Sequence, residues 1–225
     1  MIKRFYIFYF FAAVLAFESC KNNDSVYKTV LYAGVNVVNA SADTLNFYLN
    51  GTRQNNSSSL YPASQSFYGP VAQGAQNFQF KKAGTFSVLF SVPLTLKDSV
   101  NYSLYVAGET AADAFSTVDF LDTTGTQNGK GTRIRFVNAS ATAGNLDVTV
   151  GDTLSYTTRP FQSSSGFLLT GSGIKVVKVS QVGSATPVID MPITFQPGRL
   201  YTLVSMGTIN GKGAAKFNIG IVINY

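Results

Sequence analysis

The chain has 225 residues, of which only 12% are charged, and its formal net charge is +6. Its basic residues are scattered, so it lacks the basic cluster of a nucleic-acid-binding surface, and we predict no nucleic-acid partner. It has no histidine and one cysteine, which excludes Ser-His-Asp and Cys-His sites and leaves no usual ligand set for zinc. We predict no metal, no other cofactor and no enzymatic activity.

The N-terminus has the layout of an export signal. Lys3 and Arg4 precede an apolar stretch over residues 5–17, and Ser19 stands directly before the single cysteine, Cys20. At about 1.5 Å per residue, a helix of that length covers roughly 20 Å, short of the ~30 Å hydrocarbon core. We therefore predict cleavage of this segment and not a membrane-spanning helix.

The same segment resembles a bacterial lipoprotein signal peptide, in which the thiol after the cleavage point carries a diacylglycerol. The resemblance implies a signal peptide over residues 1–19 and a lipidated tether over residues 20–28, with Cys20 as the lipidation site. The competing interpretation of Cys20 is an incidental thiol near an ordinary cleavage site. The expected location is outside the cytoplasm, anchored by lipid to the cell envelope at the periplasmic or surface face of the outer membrane.

A repeat of ninety-nine residues follows. Val-Asn-Ala-Ser at residues 38–41 recurs at residues 137–140, and Tyr-x-Leu with a later glycine occurs at residues 102–108 and again at residues 201–207. Agreement at separated places indicates a duplicated domain. We predict one copy over residues 29–122, a Gly- and Asn-containing linker over 123–132, and a second copy over 133–225.

Short segments rich in Val, Phe, Tyr, Leu and Thr indicate β-strands in both copies. We predict strands over residues 35–39, 45–49, 85–92 and 101–107, then 134–138, 146–150, 174–179 and 201–204, with a closing strand over 221–225. Because an antiparallel sheet with one apolar face must cover it, a second sheet is expected to pack there. The predicted fold is all-β: two tandem immunoglobulin-like antiparallel β-sandwich domains after an N-terminal lipoprotein signal peptide.

The motifs at residues 35–51, their echo at 134–151 and the late Tyr-x-Leu strands resemble the bacterial envelope family known as domain of unknown function 4397. The chain departs from that pattern at Ala42 and Ala141, which stand where the family often has proline. The resemblance implies secreted or lipid-anchored β-domains, and it supplies no catalytic residues.

An aromatic loop in each copy is the candidate ligand site. The residues are Arg53, Tyr61, Phe67 and Tyr68 in the first copy, and Arg159, Phe161 and Phe167, with Tyr156 nearby, in the second. Aromatic faces beside neutral amides and hydroxyls suit a neutral sugar. The competing interpretation is that these aromatics cover the open edge of a sandwich.

Other polar groups have structural interpretations. They are the Asn-Ala-Ser turns at residues 39–41 and 138–140, the Ser-x-x-Lys sequence of Ser172 and Lys175, the carboxylates Glu109 and Asp113, and the oxygen-bearing Asp119, Asp122 and Asn128 near the linker. We expect local backbone hydrogen bonds at the turns, no helical context for Ser172, and no calcium site, because the oxygen spacing fits no EF-hand loop.

Five short Asp-Ser/Thr sequences resemble the O-glycan acceptors of some Gram-negative periplasms. Their hydroxyl residues are Ser25, Thr44, Ser99, Thr123 and Thr153. The same pattern also describes a turn that leads into a strand, and the two interpretations are left open.

Together these patterns predict a membrane-anchored, non-catalytic binding or structural module of the envelope. Its partners are expected to be the membrane, through the lipid, and an envelope glycan or protein. The alternative is a glycan-binding accessory protein of the cell surface, and a hydrolase is the third class. The sequence does not indicate an oligomeric state.

Overall fold

The computed structural model describes residues 30–108, 110–119 and 131–224. Regular structure in these ranges is β-strand, as predicted, apart from two 3₁₀ turns at Ala111–Asp113 and Gly213–Ala215. No helix within these ranges has the length and apolar character needed to cross a bilayer. The predicted signal peptide, Cys20 and the tether lie outside the described residues, as does most of the predicted linker.

The first copy, repeat 1, has nine strands in the part of the chain that the structure describes. They are β1 (Tyr32–Asn39), β2 (Leu45–Leu49), β3 (Thr52–Arg53), β4 (Ser64–Gln65), β5 (Gly69–Ala72), β6 (Gly74–Lys82), β7 (Phe90–Leu96), β8 (Asn101–Val106) and β9 (Ala114–Asp119). The second copy, repeat 2, has eight. They are β10 (Gly131–Asn138), β11 (Leu146–Val150), β12 (Leu154–Arg159), β13 (Leu168–Gly171), β14 (Gly173–Gln181), β15 (Ile189–Phe195), β16 (Leu200–Met206) and β17 (Asn218–Asn224).

Each repeat has two sheets with the same topology. One sheet, which we call the junction sheet, has the order β4-β1-β8-β9 in repeat 1, with β5 also paired to β1, and β13-β10-β16-β17 in repeat 2. The other, the distal sheet, has the orders β3-β2-β6-β7 and β12-β11-β14-β15. Every pair is antiparallel except β1–β8 and β10–β16, which are parallel, because the whole distal sheet serves as the crossover between them.

The core of each repeat lies between its two sheets. In repeat 1, Val35 and Val37 of β1 pack in one cluster with Phe78 and Phe80 of β6. Repeat 2 has the equivalent cluster, which includes Phe136 of β10. Both repeats are therefore β-sandwiches, in agreement with the predicted fold class.

A third apolar cluster joins the two repeats. Its buried members are Val38, Ala40, Tyr105, Val137, Ala139, Val204, Met206 and Val222, all from the junction sheets or the turns beside them. Since successive strand residues point to opposite faces, the side chains beside Val37 and Phe136 face away from their own cores and meet those of the other repeat. The junction sheets are thus covered on both faces, and every residue of β16 is buried.

Some predicted boundaries differ from the structure. The strand predicted over residues 85–92 is wrong for its first part: β7 begins at Phe90, and Phe86 is 96% exposed. Strand β6 ends before the turn at Gly84, whose φ is +80°. The residues between this turn and Phe90 form the connection to β7. Strand β6 was not predicted because its amide side chains dilute the apolar pattern. Strand β10 begins at Gly131, inside the predicted linker.

Candidate functional site

A cleft opens into the core of repeat 1 between the edge strands β3 and β5. Its volume is about 400 Å³. The floor is formed by Val35, Val37, Phe47, Leu49 and Phe78. Four of these, all except Leu49, are buried residues of the repeat 1 core. A molecule in the cleft would therefore contact the interior of the sandwich.

The polar groups at the rim of the cleft are neutral. Its polar residues are Gln54, Asn55, Ser57, Ser58, Gln65 and Ser66, and no charged side chain of the described residues lines the cleft. The rim is fixed to the floor strands by hydrogen bonds. The Phe47 amide donates to Asn55 Oδ1 (3.1 Å), and the Val37 amide donates to Ser66 Oγ (2.9 Å). The cleft is therefore largely pre-formed.

Phe67 stands at the rim and is 67% exposed. Its φ is +60°, in the left-handed region that a bulky residue rarely adopts. Backbone strain of this kind costs about 1–3 kcal/mol and persists only where the surrounding structure holds it. Of the predicted ligand residues, Phe67 alone lines this cleft.

The other predicted residues of repeat 1 lie elsewhere. Tyr61 is 62% exposed and does not line the cleft. The Arg53 guanidinium donates to Asn46 Oδ1 (2.7 Å), a contact between neighbouring strands of the distal sheet. The Tyr68 hydroxyl points into the junction between the repeats, where Asn224 Nδ2 donates to it (2.8 Å). The structure therefore does not bring these four residues together into one platform.

The predicted residues of repeat 2 also separate. The ring of Phe161 meets Phe115 of repeat 1 edge-on, with 6.3 Å between centroids. The ring of Phe167 lies 4.7 Å from the Arg135 guanidinium carbon. Arg159 ends β12, and its carbonyl accepts from Asn138 Nδ2 (2.9 Å). Phe161 therefore contributes to the contact between the repeats, while Phe167 packs on Arg135 within repeat 2.

A buried polar cluster lies in that contact. The Asp119 carboxylate accepts hydrogen bonds from Arg135, from Ser103 Oγ (2.6 Å) and from the Tyr68 hydroxyl. Arg135 also donates to Thr202 Oγ1 (2.7 Å) and to the Val118 carbonyl (3.1 Å). Burial, and then the Asp119 carboxylate, raise the pKa of Tyr68 well above its usual value. These groups satisfy one another, which marks the cluster as structural.

The sequence profile of the family described as "Domain of unknown function (DUF4397)" matches residues 33–149 and 133–218. The chain belongs to the DUF4397 family. The two overlapping matches fit two copies of the domain, which is the duplication that the sequence repeat predicts. No curated protein matches the sequence of this chain.

One solved structure similar to this DUF4397 chain is a carbohydrate-binding module of family CBM26 from Eubacterium rectale Amy13K, crystallised in complex with maltoheptaose. The identity is 10%, the match covers 85% of this chain and 96% of that chain, and the TM-score is 0.29. At that TM-score the likeness carries no inference about a ligand.

The Asn-Ala-Ser turns of this DUF4397 chain use their side chains locally. Asn39 is fully buried, and its Nδ2 donates to the carbonyls of Asp43 (2.7 Å) and Leu60 (2.9 Å). Asn138 Nδ2 likewise donates to the Gly144 carbonyl (3.0 Å). The bonds to the Asp43 and Gly144 carbonyls are the local backbone hydrogen bonds that the sequence predicted, one in each copy.

The remaining catalytic and metal candidates have structural surroundings. Ser172 lies in the turn between strands β13 and β14, so the Ser-x-x-Lys sequence lacks the helix that its catalytic use requires. Asp113 closes a capping box with Thr110. Glu109, Asp122 and Asn128 lie outside the described residues. Within the described ranges no group of three acidic, His or Cys residues could hold a metal ion.

Three of the predicted glycan acceptors are described by the structure. Ser99 and Thr153 each lie in a turn shortly before a strand, and Thr44 directly precedes strand β2, which fits the competing interpretation of their sequence pattern. Ser99 is exposed, while Thr153 is exposed and lies 3.0 Å, oxygen to oxygen, from the buried Thr170 hydroxyl. Ser25 and Thr123 lie outside the described residues, and O-glycosylation stays a prediction.

The sequence patterns did not indicate the floor of the cleft or the pair Asp119–Arg135. A signal for both was present in the differences between the two copies. At the ninety-nine-residue offset, Arg135 corresponds to Asn36, and Phe136 corresponds to Val37. A repeat that loses an aromatic residue on its core face, or gains a charge on its outer face, is a candidate for a cavity or for a specific contact.

Proposed function

We propose that this chain is a non-catalytic binding module of the cell envelope, and that the cleft of repeat 1 is its binding site for a small neutral ligand. One observation carries the proposal: a pre-formed cleft of about 400 Å³ reaches the apolar core of one repeat and has a rim of amides and hydroxyls. Ligand sites have this combination of an apolar interior with a few fixed polar groups.

The described lining of the cleft has no charged side chain, and this favours a neutral ligand. A charged molecule would lose its hydration in the cleft without meeting an opposite charge, and that transfer is strongly unfavourable. Neutral hydroxyl or amide groups of a ligand could bond to Gln54, Asn55 and Gln65 at the rim, while an apolar part enters the floor.

The envelope location is the second part of the proposal. The basic residues, the short apolar stretch and Ser19 before Cys20 support removal of residues 1–19 and lipidation of Cys20. Several acyl chains, at about 0.8 kcal/mol per buried methylene, would hold the module on the outer membrane. Residues 21–28 would then serve as a polar tether between the lipid and repeat 1.

A glycan-binding accessory protein is the second candidate. It is supported by the exposed rings of Tyr61 and Phe67, because aromatic faces beside amides are common in sugar recognition. The two candidates place the ligand differently. A glycan would lie across exposed rings, whereas a small neutral ligand would enter the cleft.

Binding can be tested with the chain from Lys21 onward, which retains every strand of the fold. Calorimetric titration and thermal-shift measurements would use neutral small molecules of varied shape and neutral oligosaccharides. The proposal predicts a ligand whose affinity falls in Phe67→Ala and is unchanged in Tyr61→Ala, since only the first residue lines the cleft.

Two results would overturn the proposal. One is a set of ligands whose binding is insensitive to the cleft variants. The other is turnover of a polymer or ester by the purified protein, which would place it among enzymes.

A further inference from the structure

Repeat 2 shows what fills the position of the cleft in the other copy. Tyr156 of β12 is 4% exposed and belongs to the core of repeat 2. The centroid of its ring lies 6.5 Å from that of Phe136, and its hydroxyl donates to the Ile134 carbonyl (2.6 Å). A phenol group therefore closes the edge of this sandwich from within.

The strand register identifies the counterpart of Tyr156. Tyr156 pairs with Val148, which pairs with Val179. Repeat 1 has the same sequence of strand partners. The Gln54 backbone amide donates to the Phe47 carbonyl (3.0 Å), and Phe47 pairs with Phe80. Val179 and Phe80 are ninety-nine residues apart, so Gln54 stands where repeat 2 has Tyr156.

Gln54 does not fill the space that Tyr156 fills. It is exposed, and its side-chain amide turns back to donate to the Thr52 carbonyl (2.9 Å). The neighbouring ring is missing as well, because Val37 stands where repeat 2 has Phe136. Two aromatic rings of repeat 2 are thus absent from this edge of repeat 1, where the cleft of about 400 Å³ lies. Part of the lost volume is replaced, because Phe47 and Phe78 stand where repeat 2 has Val148 and Val177.

We propose that the cleft of repeat 1 binds a small neutral phenol, whose ring takes the place of the Tyr156 side chain. The proposal rests on the proposed binding function and names the ligand class. The ring would lie against Val37, Phe47 and Phe78, and its hydroxyl would donate to the Val35 carbonyl, the counterpart of the Ile134 carbonyl. A cavity of about 150 Å³ suffices for benzene, so the cleft has room for a ring and a substituent.

The surroundings of both positions favour a phenol over a charged or purely polar ligand. Burial raises the pKa of Tyr156, so its phenol stays neutral in repeat 2. No charged side chain of the described residues lines the cleft of repeat 1, so a phenol bound there should also stay neutral. The exposed ring of Phe67 at the rim can pack against a bound aromatic ring in an offset or edge-on geometry.

Binding should be measured by calorimetric titration of the chain from Lys21 onward with three matched probes. They are 4-ethylphenol, ethylbenzene, which lacks the hydroxyl, and 4-ethylcyclohexanol, which lacks the aromatic ring. A buried hydroxyl with its acceptor should favour 4-ethylphenol over ethylbenzene by about tenfold in Kd. A fourth probe, N-acetyltyrosine amide, distinguishes a free phenol from a tyrosine side chain presented by a peptide.

Substitutions locate the site. Gln54→Tyr restores the residue of repeat 2 and should abolish binding of 4-ethylphenol while raising the melting temperature. If Gln54→Tyr fails to fold, Val37→Phe supplies the other missing ring and should weaken binding at least about tenfold through lost space. Tyr61→Ala is the matched control, an exposed aromatic outside the cleft, and should leave Kd unchanged.

Different outcomes would overturn the phenol proposal and the proposed binding function. Equal affinity for ethylbenzene and 4-ethylphenol would overturn the assignment of the hydroxyl contact. Binding of neutral oligosaccharides through Phe67, with no binding of any phenol, would overturn the phenol proposal and leave the binding function standing. Absence of binding by every neutral probe would overturn both.

Discussion

Arg135 of repeat 2 forms a buried ion pair with Asp119 of repeat 1, and the two side chains are 4% and 0% exposed. Neither residue has a charged counterpart in the other copy. Arg135 corresponds to Asn36. Asp119 pairs with Asn101, and Asn224 pairs with Leu200. Since Asn101 and Leu200 are equivalent positions of the two repeats, Asp119 corresponds to Asn224. The pair therefore distinguishes the two junction sheets, and it joins one sandwich to the other.

Replacing Asp119 by Asn, the residue of repeat 2, should destabilise the protein strongly. The substitution leaves the Arg135 guanidinium buried without its anion, which typically costs about 3–5 kcal/mol in the free energy of unfolding. Urea denaturation monitored by tyrosine fluorescence would measure the loss.

The matched control for Asp119→Asn is Asp190→Asn. It breaks the half-exposed pair of Lys178 and Asp190 on the distal sheet of repeat 2, and should change the free energy of unfolding by less than about 1 kcal/mol. In the double variant Asp119→Leu with Arg135→Met, both charges are gone, so the loss should be smaller than in Asp119→Asn. An equal loss in free energy of unfolding in Asp119→Asn and Asp190→Asn would contradict the structural importance of the buried pair.

Alkaline pH should destabilise the fold through three tyrosines. Burial raises the pKa values of Tyr68, Tyr105 and Tyr156 above the ordinary value of 10.0. Their neutral forms are favoured in the folded state, so this stability is fully present below pH 10 and is lost as the pH rises towards the folded pKa values. Above pH 10, each of these tyrosines should lower the free energy of unfolding by about 1.4 kcal/mol per pH unit.

The measurement is a series of urea titrations from pH 8 to pH 11, together with tyrosine ionisation followed by absorbance at 295 nm. Tyr156→Phe removes one of the three groups and should reduce the alkaline slope by about a third. Ionisation of every tyrosine in a single step near pH 10, without unfolding, would show that none of them is protected.

Loss of the Asn39 side chain should weaken repeat 1. Asn39→Ala leaves the Asp43 and Leu60 carbonyls without their donor in a buried turn, at a cost of about 1–3 kcal/mol. Thermal unfolding would measure it. Asn56→Ala is the control, because Asn56 is exposed and makes one long hydrogen bond to the Arg53 carbonyl (3.3 Å), and it should cost less than about 0.5 kcal/mol. A similar loss in both variants would argue against a special role for Asn39.

Replacement of Cys20 tests the membrane anchor. Wild-type protein expressed in a Gram-negative host should fractionate with the envelope membranes, and intact-mass measurement should show acyl chains on the chain that begins at Cys20. Cys20→Ser removes the thiol that would carry the lipid, so intact-mass measurement of this variant should show no acyl chains. An unmodified thiol in the wild-type protein, or acyl chains that remain in Cys20→Ser, would contradict the anchor.

The sequence predicted part of the fold well. Strands β2 and β11 have the predicted bounds, because each combines a dense apolar run with a clear turn on both sides. The edge strands β3, β4 and β5 were not predicted, since a strand of two to four residues with a polar face has too little pattern to stand out. The parallel pairing of β1 with β8 depends on contacts between residues distant in sequence, which local patterns do not encode.

The candidate site was predicted only in part. Phe67 lines the cleft, yet Tyr68 beside it points into the junction. Phe67 has a φ of +60° and lies outside the strands, so the side-chain alternation of an extended strand does not describe this loop, whose aromatic residues divide between two environments. Which residue meets solvent and which meets the other repeat was decided by packing.

The sequence by itself determined the class of the protein: an all-β chain of two related domains, because duplication and strand patterning are properties of residue order. Only the tertiary structure decided that the two sandwiches meet face to face through Arg135 and Asp119, and that one of them is open where the other is closed by Tyr156. The physical reason is that side-chain volume and buried charge take effect only when residues far apart in the chain are packed together.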